Sequence, residues 1–307
     1  MRVEGGPILA VLGAINVDLV VSGARLPHEG ETVTGGTFAQ HHGGKGGNQA
    51  VAAARAFGLP RGAGLIAAGR PQPGVWMLGA VGDDQLGVAA LEALRAENAQ
   101  TDQVAVTLGA STGIAMIAVS PDGENQISVA PGANDLLEPE HVVGALEALH
   151  PHLLLVSLEI PERTARAALG WCLDHGVPTV LNPAPVRPWT HDLLSLATYA
   201  TPNEHELATL GVMPGGVTVI ETRGREGAVI HQDGKDDPVP APSVDAVDTT
   251  GAGDCINGVL AARLAEGVPL GNAVRDAVVA ACISVCVSGA REGMPTAAAI
   301  NAARARA

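Results

Sequence analysis

Aromatic residues are scarce in this chain and make up 2% of its 307 residues. The core must therefore be built mainly from Ala, Val and Leu, and base stacking has few rings to use. Cysteine is also rare, with four residues and no Cys-x-x-Cys pair. Cys282 and Cys286 lie four apart in a helical pattern, where two small core residues are a simpler interpretation than a metal site. This cysteine usage favours a reduced, cytoplasmic setting.

Basic charge and long apolar runs are lacking too. The chain has 18 Lys and Arg against 32 Asp and Glu, a net charge of -14, which argues against a nucleic-acid partner. The sequence contains no uninterrupted apolar run of roughly 18 residues, so a membrane span is not expected. Residues 1–6 lack a signal-peptide pattern. An acidic chain that handles phosphates must gather positive potential locally, from backbone N–H groups, a metal and a few Lys or Arg.

Strand and helix patterns alternate along the chain. Ile8–Val17 and Leu153–Ile160 are apolar runs typical of strands buried on both faces of a sheet, and helical patterns follow such runs. The alternation predicts one α/β domain over residues 1–307, with a doubly wound, mostly parallel sheet flanked by helices. Segments 18–41 and 104–130 have short β patterns instead. A small β-sheet folded as a lid over one end of the main sheet explains both segments.

A glycine-rich turn from Asp248 to Asp254 leads directly into an apolar, Ala-rich helix. Free N–H groups at a helix start attract anions, and Gly251 and Gly253 let the backbone approach a phosphate closely. The carboxylate of Asp254 at the junction is suited to accepting a proton. The segment therefore indicates an anion hole with a general base, as phosphoryl transfer to a hydroxyl requires. The alternative is a glycine turn with an acidic helix cap.

A second glycine-rich segment, Gly43–Gln49, precedes the first predicted helix, Ala50–Phe57. It differs from the Walker pattern because its Lys falls among the glycines and no Ser or Thr follows. Its glycines would let a hydroxyl-rich ligand reach the backbone, and Lys45 and Asn48 are suited to binding sugar hydroxyls. A flexible hinge before a helix is the alternative interpretation.

Polar side chains also lie at the ends of predicted strands, where α/β proteins bind ligands. Asn16 and Asp18 end the first predicted strand and share a face, so both can bind adjacent hydroxyls. Glu159 ends another apolar strand. Ordinary turn formation by Asn16 and Asp18, and a salt bridge from Glu159, stay open as alternatives.

Two later turns have the spacing of a nucleotide site. Asn203 and Glu206 lie one helical turn apart and could orient a hydrated Mg²⁺, although a capping box fits equally well. After the next strand, Gly224–Gly227 could present backbone N–H groups to a nucleotide, together with Arg223 or Arg225. A simple tight turn is an equal alternative there.

Taken in order, these motifs resemble the PfkB carbohydrate kinase family nearly from end to end. Gly43–Ala50 is similar to the first signature of the family, and Asp248–Asp254 is similar to the second. Pro131–Asn134 and other strings between them resemble the ribokinase branch in particular. Leu59–Val75 is longer than in that branch and is interpreted as a surface loop, whereas the segment 203–222 is shorter.

The resemblance implies a role for each candidate residue. Asp254 would deprotonate the ribose 5-hydroxyl, and the N–H groups of Gly251, Ala252 and Gly253 would form the anion hole. The implied sugar-binding residues are Asn16, Asp18, Gly44, Lys45, Asn48 and Glu159. The implied nucleotide-side residues are Asn203, Thr222, Gly224 and Gly227, with Glu206 linked to Mg²⁺ and phosphate. The implied ligands of an activating monovalent cation, usually K⁺, are Asp248, Thr250, Ser284, Val287, Gly289 and Gly293.

The function that the resemblance implies is ATP-dependent phosphorylation of D-ribose at the 5-hydroxyl. In the family the β lid closes over the sugar and often forms the contact of a homodimer. A kinase for deoxyribose, a ketohexose or adenosine is an alternative, and a sugar-binding protein without catalysis is a more remote one. A dinucleotide-dependent oxidoreductase is disfavoured because no G-x-G-x-x-G follows the first strand.

Overall fold

The computed structural model describes residues 6–57 and 71–305 of the chain. The strands are β1 Ile8–Leu12, β2 Asn16–Ser22, β3 Thr37–Gly43, β4 Gly74–Leu78, β5 Ala80–Gly82, β6 Ala99–Gln100, β7 Ala105–Thr107, β8 Gly113–Val119, β9 Asn125–Ala130, β10 Leu153–Ser157, β11 Thr179–Asn182, β12 Tyr199–Ala200, β13 Thr218–Thr222, β14 Ala228–Gln232 and β15 Lys235–Val239. The α-helices are α1 Lys45–Phe57, α2 Gln85–Ala96, α3 Pro139–Leu149, α4 Glu162–His175, α5 Thr190–Leu194, α6 Glu204–Leu210, α7 Ala252–Ala265, α8 Leu270–Ser284 and α9 Ala297–Arg304.

A large sheet forms the centre of the molecule, with the strand order β15-β14-β13-β12-β11-β10-β1-β4-β6. Pairing is parallel from β6 to β13, and β14 and β15 add an antiparallel hairpin at the edge. Pro238 lies in the edge strand, where its missing N–H costs least. The predicted α/β class is confirmed. Among the described residues, no helix is long and apolar enough to span a bilayer.

Helices cover both faces of this sheet, and alternate residues of β1 show how the two layers divide. Leu9 and Val11 belong to the apolar cluster that contains α1, α7 and α8. Ala10 and Leu12 belong to the cluster that contains α3 and α4. Because both faces of the strand are buried, its sequence is continuously apolar instead of alternating.

The prediction of one strand over Ile8–Val17 is wrong. The main-sheet strand ends at Leu12, and β2 begins at Asn16 as part of the smaller sheet. A Cβ on Gly13 would lie 2.3 Å from Ser157 Oγ and 2.7 Å from Gly46 Cα, so the chain passes between its neighbours with no room for a side chain. Asn16 and Asp18 therefore begin a strand of the small sheet and do not end a strand of the main one.

The small sheet has the strand order β3-β2-β8-β9. β2 pairs antiparallel with β3 and parallel with β8, and β8 pairs antiparallel with β9. Its assignment as a lid stays a prediction. The predicted surface loop covers residues 59–75. Residues 59–70 lie outside the described residues. Strand β4 begins at Gly74, within the predicted loop.

Helix α1 begins at Lys45, five residues before the predicted start, so the second glycine-rich segment is mostly helical. Helices α1 and α7 pack against each other. A Cβ on Gly258 of α7 would lie 2.4 Å from Gln49 O, so the two backbones approach closely there. This packing brings the first turns of both helices together.

Candidate active site

Asp254 lies in the first turn of α7, is 8% exposed, and faces the first turn of α1. Asn48 Nδ2 donates to Asp254 Oδ2 at 3.0 Å, and Gln49 Nε2 donates to Asp254 Oδ1 at 3.1 Å. Gln49 Nε2 also donates to Asn182 Oδ1 at 3.0 Å, which ties the pair to β11. Burial raises the pKa of Asp254, against the opposing effects of Lys45 and these two amides. The result is an oriented carboxylate of increased basicity.

The turn before α7 brings the predicted anion-hole residues next to this carboxylate. Gly251 is the N-cap with φ of 75°, and Cys255 N–H donates to its carbonyl at 2.8 Å. Ala252 N–H donates to Thr249 O at 3.2 Å, so one of the three predicted donors is engaged within the turn. A helix start leaves its first N–H groups without intrahelical partners, and these are the groups that an anion can use.

The predicted sugar-binding residues gather around the start of α1. Glu159 Oε2 accepts the Lys45 N–H at 2.9 Å, and burial raises the pKa of Glu159 despite this bond. Burial also raises the pKa of Asp18 on β2, opposed by Arg291 and His41.

The loop that joins these residues is fixed by hydrogen bonds. Asn48 N–H donates to Gly44 O at 2.9 Å, so the segment is a helix start and not a flexible hinge. Asn134 Nδ2 donates to Asn16 Oδ1 at 2.9 Å, and Asn134 Oδ1 accepts the Ile15 N–H at 2.9 Å. The hydrogen-bonding groups suited to a small polyhydroxy ligand are therefore preorganised.

Hydrogen bonds and close packing join several of the predicted cation-site residues near the α7 turn. Asp248 Oδ1 accepts the Thr250 N–H and Asp248 Oδ2 accepts the Gly289 N–H, each at 2.9 Å. Burial would raise the pKa of Asp248, but these N–H donors outweigh it and lower that pKa. A Cβ on Gly293 would lie 2.1 Å from Ser284 O, so that turn packs against the end of α8. One ionised carboxylate among backbone carbonyls fits a K⁺ ion chemically.

The predicted nucleotide-side residues lie on the adjacent strand ends. Asn203 and Glu206 form the capping box of α6: Asn203 Oδ1 accepts the Glu206 N–H, and Glu206 Oε2 accepts the Asn203 N–H, both at 2.8 Å. Asn203 bridges Thr222 in a parallel register, and the Gly224–Glu226 turn follows directly.

One of the two arginines that the sequence offered for the nucleotide, Arg223, is engaged elsewhere. Arg223 Nε and Nη2 donate to Glu221 Oε2 at 2.9 and 2.6 Å. His231 Nε2 lies 3.0 Å from the same oxygen. Arg223 is thus held along the strand, which leaves the exposed Arg225 and the backbone of the turn as the candidates for contact with a nucleotide.

Comparison with known proteins matches residues 8–297 to the pfkB family carbohydrate kinase. The chain belongs to this family. The ribokinase of Bacillus subtilis is 39% identical, covering 94% of this chain and 96% of that protein, and the deoxyribokinase of Salmonella typhi is 32% identical, covering 94% and 95%. The structure of Arabidopsis thaliana ribokinase complexed with ribose and ATP has a TM-score of 0.83 at 28% identity, covering 97% of this chain and 98% of that one. The predicted family, fold and enzyme class, a phosphotransferase acting on a hydroxyl, are confirmed.

Several polar residues of this carbohydrate kinase were not singled out from the sequence. Gln49 lies inside a recognised motif, yet its contact with Asp254 bridges 205 positions of sequence. Asn134 also lies in a recognised string without an assigned role, and Asn182 is the last residue of β11. Arg291 lies between two predicted cation ligands. Burial lowers its pKa to about 10 against the neighbouring carboxylates Asp18 and Asp254, so it stays cationic at neutral pH.

Proposed function

We propose that this carbohydrate kinase transfers the γ-phosphoryl group of ATP to the 5-hydroxyl of D-ribose. The observation that carries the proposal is the buried Asp254 carboxylate, held by Asn48 and Gln49 beside the glycine turn of α7. The full-length similarity to the Bacillus subtilis ribokinase and the fold shared with a ribokinase bound to ribose and ATP support the choice of sugar. The four free cysteines suit work in the cytoplasm.

In the proposed reaction, Asp254 accepts the proton of the 5-hydroxyl as O5 attacks the γ-phosphorus. The O5–P bond forms, the bond from the γ-phosphorus to the β,γ-bridging oxygen breaks, and ADP leaves with the electron pair. Charge that develops on the phosphoryl oxygens is stabilised by N–H groups of the turn Gly251–Gly253. The sugar is oriented by Asn16, Asp18, Gly44, Lys45, Asn48 and Glu159.

The nucleotide is proposed to lie along Asn203, Thr222, Gly224 and Gly227, where strand ends and a glycine turn meet. Mg²⁺ would shield the charge of the ATP phosphates and keep most of its water ligands. The capping box engages Oε2 of Glu206, and a water-mediated contact with the hydrated ion would use Oε1.

An acceptor panel tests the sugar assignment. ADP release is measured with ATP and Mg²⁺ on D-ribose, 2-deoxyribose, fructose and adenosine. Deoxyribose is the second candidate because a deoxyribokinase is 32% identical over 94% of this chain. A site built to bind a hydroxyl rejects the analogue without it by roughly 10⁴–10⁵-fold in kcat/KM. A preference for ribose supports the proposal, whereas equal or better turnover of another acceptor moves the assignment to that acceptor.

K⁺ is expected to raise the rate, and Asp248→Asn is expected to remove most of that stimulation. The reason is that Asp248 supplies the ionised oxygen of the proposed site, with Thr250, Ser284, Val287, Gly289 and Gly293 as its other members. The measurement is ADP release with ribose in K⁺, in Na⁺ and in a buffer of organic cations. Asp245→Ala, a nearby exposed carboxylate, is the control. Stimulation by K⁺ that survives intact in Asp248→Asn would contradict the cation assignment.

The small sheet is proposed to act as a lid and as the contact of a homodimer. Val21 lies opposite Phe38, and Met116 lies beside Leu19 on the same face. Asp18 points to the other face, because side chains alternate along a strand. Val21, Phe38 and Met116 are 49%, 65% and 59% exposed. An apolar strand face this open is typical of a surface that another protein covers.

Phe38→Asp combined with Met116→Asp is expected to weaken the dimer by about tenfold or more in Kd, since association would bury two charges from each copy. Analytical ultracentrifugation over a range of concentrations measures it. Leu173→Glu, at an equally exposed apolar residue of α4, serves as the control. A wild-type chain that sediments as a monomer, or a variant that dimerises as tightly as wild type, would contradict this contact.

A further inference from the structure

Arg291 reaches from the turn 289–293 into the first turn of α1. Its Nε donates to Asn48 Oδ1 at 2.7 Å, and its Nη2 donates to Gly43 O at 3.0 Å. The other end of the same amide, Asn48 Nδ2, donates to Asp254 Oδ2. A guanidinium, an amide and a carboxylate are therefore joined in series across three distant parts of the chain.

The backbone of this turn is held from behind by a second arginine. Arg55 Nη1 donates to Arg291 O at 2.6 Å and to Met294 O at 2.8 Å. Arg55 in turn makes a two-bond ion pair with Glu97, with both N–O distances at 2.8 Å. Because the main chain is anchored this way, the guanidinium of Arg291 approaches α1 from a fixed direction.

Gly47 explains how the guanidinium fits against the helix. A Cβ at this position would lie 2.5 Å from Arg291 Nη2, closer than real carbon atoms pack. Gly47 is inside α1, where glycine is less favourable than alanine by about 1 kcal/mol. The missing side chain thus lowers helix stability and makes room for the side chain of Arg291.

We infer that Arg291 is a positioning residue for phosphoryl transfer and that Gly47 is its steric partner. An amide side chain can present either its oxygen or its nitrogen to a neighbour. A cationic donor bound to Asn48 Oδ1 holds the amide so that Nδ2 faces Asp254. Without that donor, rotation of the amide would place an oxygen against the carboxylate. The inference rests on the proposed role of Asp254 as the base.

The kinetic test uses Arg291→Gln, Gly47→Ala and the double variant. Loss of a charge-assisted hydrogen bond predicts that Arg291→Gln lowers kcat by roughly 10–100-fold. The KM for ribose rises as well, because Asn48 is also one of the proposed sugar-binding residues. Gly47→Ala displaces the guanidinium and lowers kcat in the same direction. The double variant then loses little beyond Arg291→Gln alone, because both changes remove one interaction. Arg291→Lys recovers part of the rate, and Arg163→Gln, an exposed residue of α4, leaves it unchanged.

Two further readouts separate positioning from a purely structural role. The acid limb of the kcat profile against pH moves in Arg291→Gln, because a rotated amide changes the proton affinity of Asp254. In thermal unfolding, Gly47→Ala lowers Tm when Arg291 is present and raises Tm in the Arg291→Gln background, where only helix propensity acts. The Tm cycle needs no turnover, so it stands even if no acceptor in the panel is phosphorylated. Two results would overturn the inference. One is a double variant whose loss of kcat equals the product of the two single losses. The other is a Tm shift caused by Gly47→Ala that has the same sign with Arg291 and with Arg291→Gln.

Discussion

Asp254→Asn is expected to lower kcat by at least about 10²–10⁴-fold while ribose still binds. The change keeps the size of the side chain and removes the oxygen that accepts the proton of the attacking hydroxyl. Asn48 and Gln49 both donate to this carboxylate in the folded protein, so its position is fixed before the sugar arrives. Single-turnover ADP formation measures the chemical step, and calorimetric titration measures sugar binding. Near-wild-type turnover would contradict the assignment of Asp254 as the general base.

The same substitution is expected to change stability in a pH-dependent way. Burial raises the pKa of Asp254 in the folded state, so the folded protein binds its proton more tightly than the unfolded chain does. Its stabilising contribution is complete below the ordinary aspartate pKa of about 4 and is lost as the pH rises through the raised value. The Tm of Asp254→Asn minus that of wild type should therefore grow with pH over this window and then level off.

Asp102→Asn, at an exposed position, controls for the loss of one negative charge. It should leave kcat unchanged, and its Tm is measured over the same pH range for comparison. A Tm difference for Asp254→Asn that shrinks as the pH rises would mean that hydrogen bonds from Asn48 and Gln49 outweigh the cost of burying the charge. The pH profile thus reports on the environment of Asp254 separately from catalysis.

The α/β architecture could be predicted from the sequence because strands buried on both faces and amphipathic helices leave different patterns. The start of α1 could not be predicted, because Gly46 and Gly47 have poor helix propensity. In the fold, Gly46 packs against Gly13 and Gly47 against Arg291, and these tertiary contacts decide the local structure. The break after Leu12 was missed for the same reason, since an apolar run does not show where a strand changes sheets.

Some residues of the candidate site could be predicted from the sequence, and others could not. Residues in contiguous glycine motifs, such as Lys45 and Asp254, could be singled out because each motif lies next to a predicted helix, an arrangement suited to binding a ligand. Arg291 could not be found, since its signal is a distance to Asn48 across 243 positions of sequence. At Asn203 and Glu206, a metal site and a capping box fitted the sequence equally well. The structure forms the capping box, which is compatible with a water-mediated role in metal binding.

Gly251→Ala is expected to lower kcat by roughly 10²–10³-fold, about the loss from removing one oxyanion-hole donor. Gly251 has φ of 75°, where a Cβ costs about 1–2 kcal/mol. The added Cβ would also lie 2.5 Å from Ala290 O and 3.0 Å from Ala290 Cα. Backbone atoms cannot rotate aside, so either the turn or the 289–293 segment must move. Stopped-flow ADP release and thermal unfolding measure the two consequences.

Gly267→Ala provides the matched comparison at the other end of α7. Gly267 has φ of 77°, but a Cβ there would meet nothing within 4 Å, so this variant measures the backbone strain alone. A loss of Tm in Gly251→Ala that exceeds the loss in Gly267→Ala is then the cost of the clash with Ala290. Since Ala290 is the neighbour of both Gly289 and Arg291, that clash should also weaken K⁺ stimulation. If Gly251→Ala keeps wild-type kcat and loses no more stability than Gly267→Ala, the turn does not form a fixed anion hole.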